Sequence, residues 1–214
     1  MNQDRSLNIE LLRLTKQIKS LVDAGLVYQQ NGYDAERYDQ LKDIALQMQS
    51  ILSDVDVQKL KDFYLPEKDY PTPKVDVRAV VLNAQNEILM VKESVDGKWT
   101  LPGGWADIGL TPAESIVKEV EEETGYKVKP IKLLAVYDKK CYPHPPQSHY
   151  VYKFNFLCKM LSGKIDPNFD IQGVKWFSIN NLPELSSDRI LKTQIEHLYN
   201  LAQKDQPTFF DGME

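Results

Sequence analysis

The segment PEKDYPTP, residues 66–73, carries three prolines and little that is apolar, and the period of the hydrophobic residues changes across it. Proline has no backbone donor and restricts the residue before it, so such a run resists both helix and sheet interior. Upstream, Leu7, Leu11, Leu14, Ile18 and Leu21 recur at steps of four and three, which places them on one helical face. After a break at Asn31 and Gly32, Tyr38, Leu41, Ala45, Met48 and Leu52 repeat the rhythm, with Asp34 as the N-cap. Val57, Leu60 and Phe63 mark a short third helix. The chain is therefore expected to divide into a small all-α domain over residues 1–65, a linker over 66–73 and a second domain over 74–214.

A helical hairpin of this size buries little surface by itself, so its apolar stripe needs a partner. Pairing with a second copy, giving a homodimer, is favoured over folding back as a lid, because a hairpin ahead of a linker is easily repeated across a two-fold axis.

Past the linker, β-rich runs are expected at 75–82, 88–91, 131–137, 150–159 and 174–177. Helices are expected at 112–124, where Thr111 offers an N-cap and Pro112 an N1 residue, and at 188–202. Strands mixed with two helices predict an α+β sandwich. Residues 139–149, KKCYPHPPQSH, form a long proline-rich loop of the kind that carries function.

The formal net charge of −5 argues against a broad basic face for nucleic acid. No apolar run is long enough for a membrane span, and the first residues lack a secretory pattern, so a cytoplasmic protein is expected. Cys141 and Cys158 form no CxxC pair and fit a reducing compartment. An acidic chain can still take an anionic small molecule where a divalent cation reverses the local field.

Such a place is suggested by KEVEEETGY, residues 118–126. In a helix, Glu119, Glu122 and Glu123 share a face, whereas Glu121 lies roughly 200° from Glu119 and turns elsewhere. Like charges one turn apart repel, so three carboxylates on one patch call for a hard cation such as Mg2+ or Mn2+. Upstream, the glycine pair of LPGGWADIG allows close backbone approach, and Gly125 supplies a C-cap.

The run GGWADIGLTPAESIVKEVEEETGY resembles the Nudix box. Gly104, Glu119, Val120, Glu122, Glu123 and Gly125 fall on its positions, with Tyr126 at the last apolar one. Leu110 stands where the box has its first glutamate, and Lys118 replaces its arginine. The resemblance covers roughly residues 74–202 and implies a Nudix-like α/β/α sandwich with a mixed sheet. The helical extension and linker are similar to the branch that includes CDP-choline and ADP-ribose pyrophosphatases.

That resemblance implies hydrolysis of a nucleoside diphosphate linked to a group X. CDP-choline, giving CMP and phosphocholine, is the first expectation, and ADP-ribose, giving AMP and ribose 5-phosphate, the second. Glu119, Glu122 and Glu123 would hold Mg2+ or Mn2+ with the Gly104 carbonyl and would carry the catalysis. Arg78 on the first strand, Trp105 beside the box, and Tyr142 and His149 in the proline-rich loop are the candidates for substrate contact, and His144 and His149 also for a general base. Tyr137, Tyr142, Tyr150 and Tyr152 are candidates for stacking on a base or enclosing choline. The rival is a sensor that binds nucleotides without cleaving them, against which the intact glutamates argue.

Overall fold

A computed structural model describes residues 2–29, 32–63, 71–147, 149–204 and 206–212, so most of the predicted linker, and Asn31 of the expected break, lie outside the described residues. The chain divides into two compact units, one comprising Met1–Pro73 with Pro146–His149 and the other comprising Lys74–Pro145 with Tyr150–Glu214.

In the first unit, helices α1 (Asn2–Tyr28) and α2 (Gly32–Ser53) pack together, and α3 (Val57–Phe63) packs on α2. The helix α2 begins two residues before the expected cap, and Asp34 instead pairs with Arg37 at 2.9 Å within the first turn. The buried face of α1 is not the predicted stripe, and of the predicted α2 stripe only Ala45 is fully buried. Leu12, Thr15, Lys19, Val22 and Asp23 of α1 are buried, as are Ala45, Leu46 and Gln49 of α2. Asp23 bridges Lys19 at 2.5 Å and Lys42 at 3.4 Å, which supplies the countercharge those buried groups need. Leu7, Leu14, Ile18 and Leu21, with Leu41, Ile44, Met48 and Ile51, stay exposed.

The second unit holds two sheets. In the first, β1 (Lys74–Val81) runs parallel to β5 (Val151–Gly163), β5 pairs antiparallel with β4 (Tyr126–Asp138), and the short β7 (Phe209–Phe210) lies parallel to β4. The second sheet has the antiparallel order β3 (Trp99–Thr100), β2 (Ile88–Glu93), β6 (Ile171–Phe177). Helix α4 (Pro112–Thr124) closes a core of Val77, Ala79, Val81, Leu89, Val91, Ile116, Val120 and Phe156. Helix α5 (Lys192–Gln203) closes another, of Val80, Met90, Leu101, Tyr137, Ile195 and Leu198. Side chains alternate along a strand, so β1 feeds both cores, and the result is the expected α/β/α sandwich with a mixed sheet. Ile116 and Val120 are wholly buried, each worth about 1.5–3 kcal/mol in removal from water.

The strands run longer than expected from propensity. β4 starts directly after the helix at Tyr126, and β5 extends to Gly163, because each is paired over its length with the other. Two short strands, β3 and β7, escaped the sequence pattern, and α5 begins at Lys192 rather than 188. Among the described residues, no helix is long and apolar enough to cross a membrane.

Candidate active site

Helix α4 begins as its sequence requires. The Thr111 hydroxyl accepts from the Glu114 amide at 3.2 Å, and the Glu114 carboxylate accepts from the Thr111 amide at 2.8 Å, with Pro112 at the start of the first turn. Gly125 ends the helix in the left-handed conformation. These two ends set the rotation of the helix, and the glutamates then take different surroundings.

Glu123 is buried, 9% exposed, and accepts from the Gly103 amide at 2.7 Å. That contact needs Gly103. Its φ is +135°, and a Cβ would stand 2.0 Å from the Val77 carbonyl oxygen. The loop is held there because β1 donates to it, from Val77 to the Gly104 carbonyl at 2.8 Å and from Ala79 to the Pro102 carbonyl at 2.9 Å. The Gly104 carbonyl, expected as a metal ligand, therefore already accepts one hydrogen bond and retains a second lone pair. Glu119 is half-buried beside Gly104, where a Cβ would lie 3.0 Å from its carboxylate. Glu122 is exposed, with Lys118 3.9 Å away, and Glu121 turns out toward Lys127 at 3.6 Å.

Burial pushes the Glu123 carboxyl up to about 8; the charge of Arg78 and the Gly103 amide work against the shift, and Glu119 and Glu93 work with it. Glu119 is also raised, by burial first. Among the described residues, no three acidic, histidine or cysteine side chains stand close enough to hold an ion between them as placed. The three predicted ligands thus share the helix face, but only Glu119 and Glu123 turn to the glycine loop, while Glu122 lies on the flank with Lys118. The donors are all hard oxygens, and a cation would relieve both the burial of Glu123 and its repulsion by Glu119, so the residues fit a divalent ion of the Mg2+ or Mn2+ type.

The substrate candidates take separate places. Arg78 is on the first strand as expected but is buried, donates to Asp76 at 2.8 and 3.0 Å, and gives its remaining terminal nitrogen to the Leu101 carbonyl at 3.0 Å. Trp105 is 48% exposed, with Lys74 Nζ 5.8 Å from its ring centre. Tyr142 donates to Asp211 at 2.8 Å and packs edge-on against Tyr137, 5.0 Å between ring centres. Tyr137 is wholly buried and pairs with His197 at 2.8 Å, so it belongs to the core. His144 meets the Ser187 carbonyl through Nδ1 at 2.7 Å, and burial lowers its pKa to about 4. His149 groups with the helical unit, not with the glutamates.

Sequence reasoning missed a buried charge network next to the glutamates. Asp76 binds Arg78 and also Lys153, the latter at 2.8 Å, and Glu93 binds Arg189 at 2.8 Å. Lys153 and Asn155 are the polar positions of an alternating strand, yet they are 2% and 0% exposed. No local pattern marks them, because their burial depends on what covers the strand.

A capped helix presents two carboxylates to a glycine loop, with a third on its flank and arginine charge behind them, an arrangement suited to a divalent cation and an anionic substrate. The NUDIX domain matches residues 72–198, and a UDP-X-like N-terminal oligomerisation domain matches residues 10–64. The chain belongs to the Nudix hydrolase family. It is 39% identical over 201 residues, 94% of this chain and 96% of the relative, to the "Putative ADP-ribose pyrophosphatase YjhB" of Bacillus subtilis (strain 168). A crystal structure of a UDP-X diphosphatase superposes with a TM-score of 0.63 at 35% identity, covering 95% of this chain and 99% of that one. An ADP-ribose pyrophosphatase from Streptococcus suis superposes with a TM-score of 0.60 at 34% identity, covering 65% of this chain and all of the other (100%).

Proposed function

We propose that this Nudix pyrophosphatase cleaves nucleoside diphosphates linked to a sugar, with ADP-ribose and UDP-sugars ahead of CDP-choline. The observation that carries the reading is the likeness over nearly the whole chain to proteins described as an ADP-ribose pyrophosphatase and a UDP-X diphosphatase. The choline reading came from the likeness to the CDP-choline branch, and the tyrosines that would enclose choline support it less because Tyr137 is core and the Tyr142 hydroxyl is held by Asp211.

Glu119, Glu122 and Glu123, with the Gly104 carbonyl, would hold Mg2+ or Mn2+. When bound, such an ion neutralises the diphosphate and lowers the pKa of a coordinated water. The chain's own part is orientation. The Gly103 amide fixes Glu123, and Arg78 biases both inner carboxylates toward their ionised forms. The helical unit serves as the homodimer contact, because its exposed leucines, isoleucines and methionine lie where a second copy would cover them and that stretch matches an oligomerisation domain. A reducing, cytoplasmic setting agrees with two unpaired cysteines.

The test is a panel of ADP-ribose, UDP-glucose, CDP-choline and deoxynucleoside triphosphates, each with Mg2+, Mn2+ or EDTA, scored for released nucleoside monophosphate. Metal-dependent release from ADP-ribose or UDP-glucose is expected. Cleavage of the triphosphates alone, or of nothing in the panel, would overturn the reading.

A further inference from the structure

Glu93, the last residue of β2, is buried, and its charge acts on both Arg78 and Glu123. A further carboxylate beside the candidate metal ligands is unfavourable twice over, since it repels Glu123 and would repel an anionic substrate. Arg189 offsets it. Its Nε lies 2.8 Å from Glu93 Oε1, and its Nη1 donates to Ser186 Oγ at 3.1 Å, with Asp96 Oδ2 3.7 Å away. Nη2, the other terminal nitrogen, has no partner among the described residues and is not shut off from solvent; the side chain as a whole is 25% exposed.

The turn that carries Arg189 is fixed to the strand that feeds the glycine loop. The Trp99 amide donates to the Glu184 carbonyl at 3.0 Å, the Ser186 amide to the Trp99 carbonyl at 2.8 Å, and the Arg189 amide to the Ser186 carbonyl at 2.9 Å. Trp99 belongs to β3, and the chain runs from there directly to Gly103, whose amide holds Glu123. The wholly buried Ser186 also donates through Oγ to Asp96 at 2.7 Å. An arginine anchored along one edge and unspent along the other loses little freedom on meeting a phosphate oxygen, and its planar fork gives that contact a direction.

We propose that Arg189, oriented by Glu93 and Ser186, binds a phosphate oxygen of the substrate's diphosphate beside the candidate metal-holding glutamates. The assignment rests on the nucleoside diphosphate reading above and deepens it. Glu93 is then a positioning residue: it touches the arginine rather than the substrate, and its place among the carboxylates is explained by the orientation it gives to Arg189.

The test is calorimetric titration of the full-length protein with Mg2+ and either α,β-methylene-ADP or its uridine counterpart, whose P–C–P bridges resist hydrolysis. Arg189→Gln is expected to weaken binding of the tighter analogue by about tenfold or more. In turnover it should raise KM by more than it lowers kcat, with the Mg2+ concentration for half-maximal activity unchanged. Arg189→Lys keeps the charge but cannot hold Glu93 and a phosphate together, so it should fall between Arg189→Gln and the parent. Lys175→Met removes an exposed cation on β6 and should match the parent, which separates a specific contact from a general loss of positive charge. Thermal unfolding checks each fold, and Arg189→Lys decides the matter where Arg189→Gln is destabilised. Analogue binding and KM both unchanged in the deciding variant would overturn the contact while leaving the hydrolase reading intact, and a parent that binds neither analogue would overturn it too. Arginine-dependent analogue binding without hydrolysis of any diphosphate in the panel would support the contact and remove the substrate reading.

Discussion

Lys118 Nζ lies 2.6 Å from Asp107 Oδ2 and 3.9 Å from Glu122 Oε1. Lys118 stands at the arginine position of the box and Leu110 at its first glutamate, and the partner of Lys118 is Asp107, three residues upstream of Leu110. Leu110, relieved of charge, joins Ala113, Val117 and Pro130 in lining an open groove of 610 Å3 along the outward flank of α4. Half-exposed ion pairs contribute about 0.2–1 kcal/mol. Asp107→Asn should therefore raise the Mg2+ concentration for half-maximal activity by only a few-fold, Lys118→Arg should preserve it, and adding Leu110→Glu to Asp107→Asn should restore it. Metal titrations of initial rate check all three.

Glu122→Gln and Glu123→Gln should each keep the fold and reduce turnover by at least about two orders of magnitude, as expected for loss of a metal-positioning carboxylate. Circular dichroism confirms the fold, and monophosphate release measures the loss. Near-normal activity in Glu122→Gln would place that flank residue outside the metal's shell.

Gly103→Ala and Gly109→Ala separate close approach from backbone freedom. Both glycines have positive φ, but an added Cβ at Gly109 meets nothing within 4 Å, whereas at Gly103 it meets the Val77 carbonyl oxygen at 2.0 Å. Gly109→Ala should cost about 1–2 kcal/mol, the penalty of a Cβ in the left-handed region. Gly103→Ala should cost clearly more and, by displacing the amide that holds Glu123, abolish most activity. Urea unfolding and rate assays on the pair decide it.

Asp76→Asn would leave Arg78 and Lys153 buried without their shared carboxylate, a loss of about 3–5 kcal/mol. Arg78 and Lys153 overcome the burial penalty and hold the Asp76 pKa down at about 2, against an ordinary 3.8. For a lowered acid, the stabilisation is complete above the unfolded value and disappears as pH falls from 3.8 through 2. Urea midpoints from pH 5 to pH 2 should fall steeply in the parent and less steeply in Asp76→Asn.

Leu21→Glu combined with Ile51→Glu places charge on side chains that are 73% and 81% exposed in the single chain. Light scattering should show the parent as a dimer and the double variant as a monomer with unchanged helicity. A parent that is already monomeric would remove the proposed contact.

Much of the site was legible in the sequence because its signals are local. Thr111, Pro112, Glu114 and Gly125 act on amides and carbonyls within one turn, so the bounds of α4 and the shared face of Glu119, Glu122 and Glu123 could be read directly. The helical stripes of the first unit were also real, but periodicity only groups residues on a face and does not tell which face meets which. There the hairpin used the face with Thr15, Lys19 and Asp23, leaving the leucine stripe uncovered within the chain.

By itself the sequence determined the elements set by interactions within about four residues, namely the helix pitch, the caps, the glycine loop and the acidic face, and with them the family. Tertiary structure decided which carboxylate is buried, which arginine is already engaged, and that Asp76 meets Lys153 from 77 positions away. The reason is that burial and pairing of a charge depend on what covers it, and the covers of β1 and β5 come from strands, loops and a helix that no local pattern links to them.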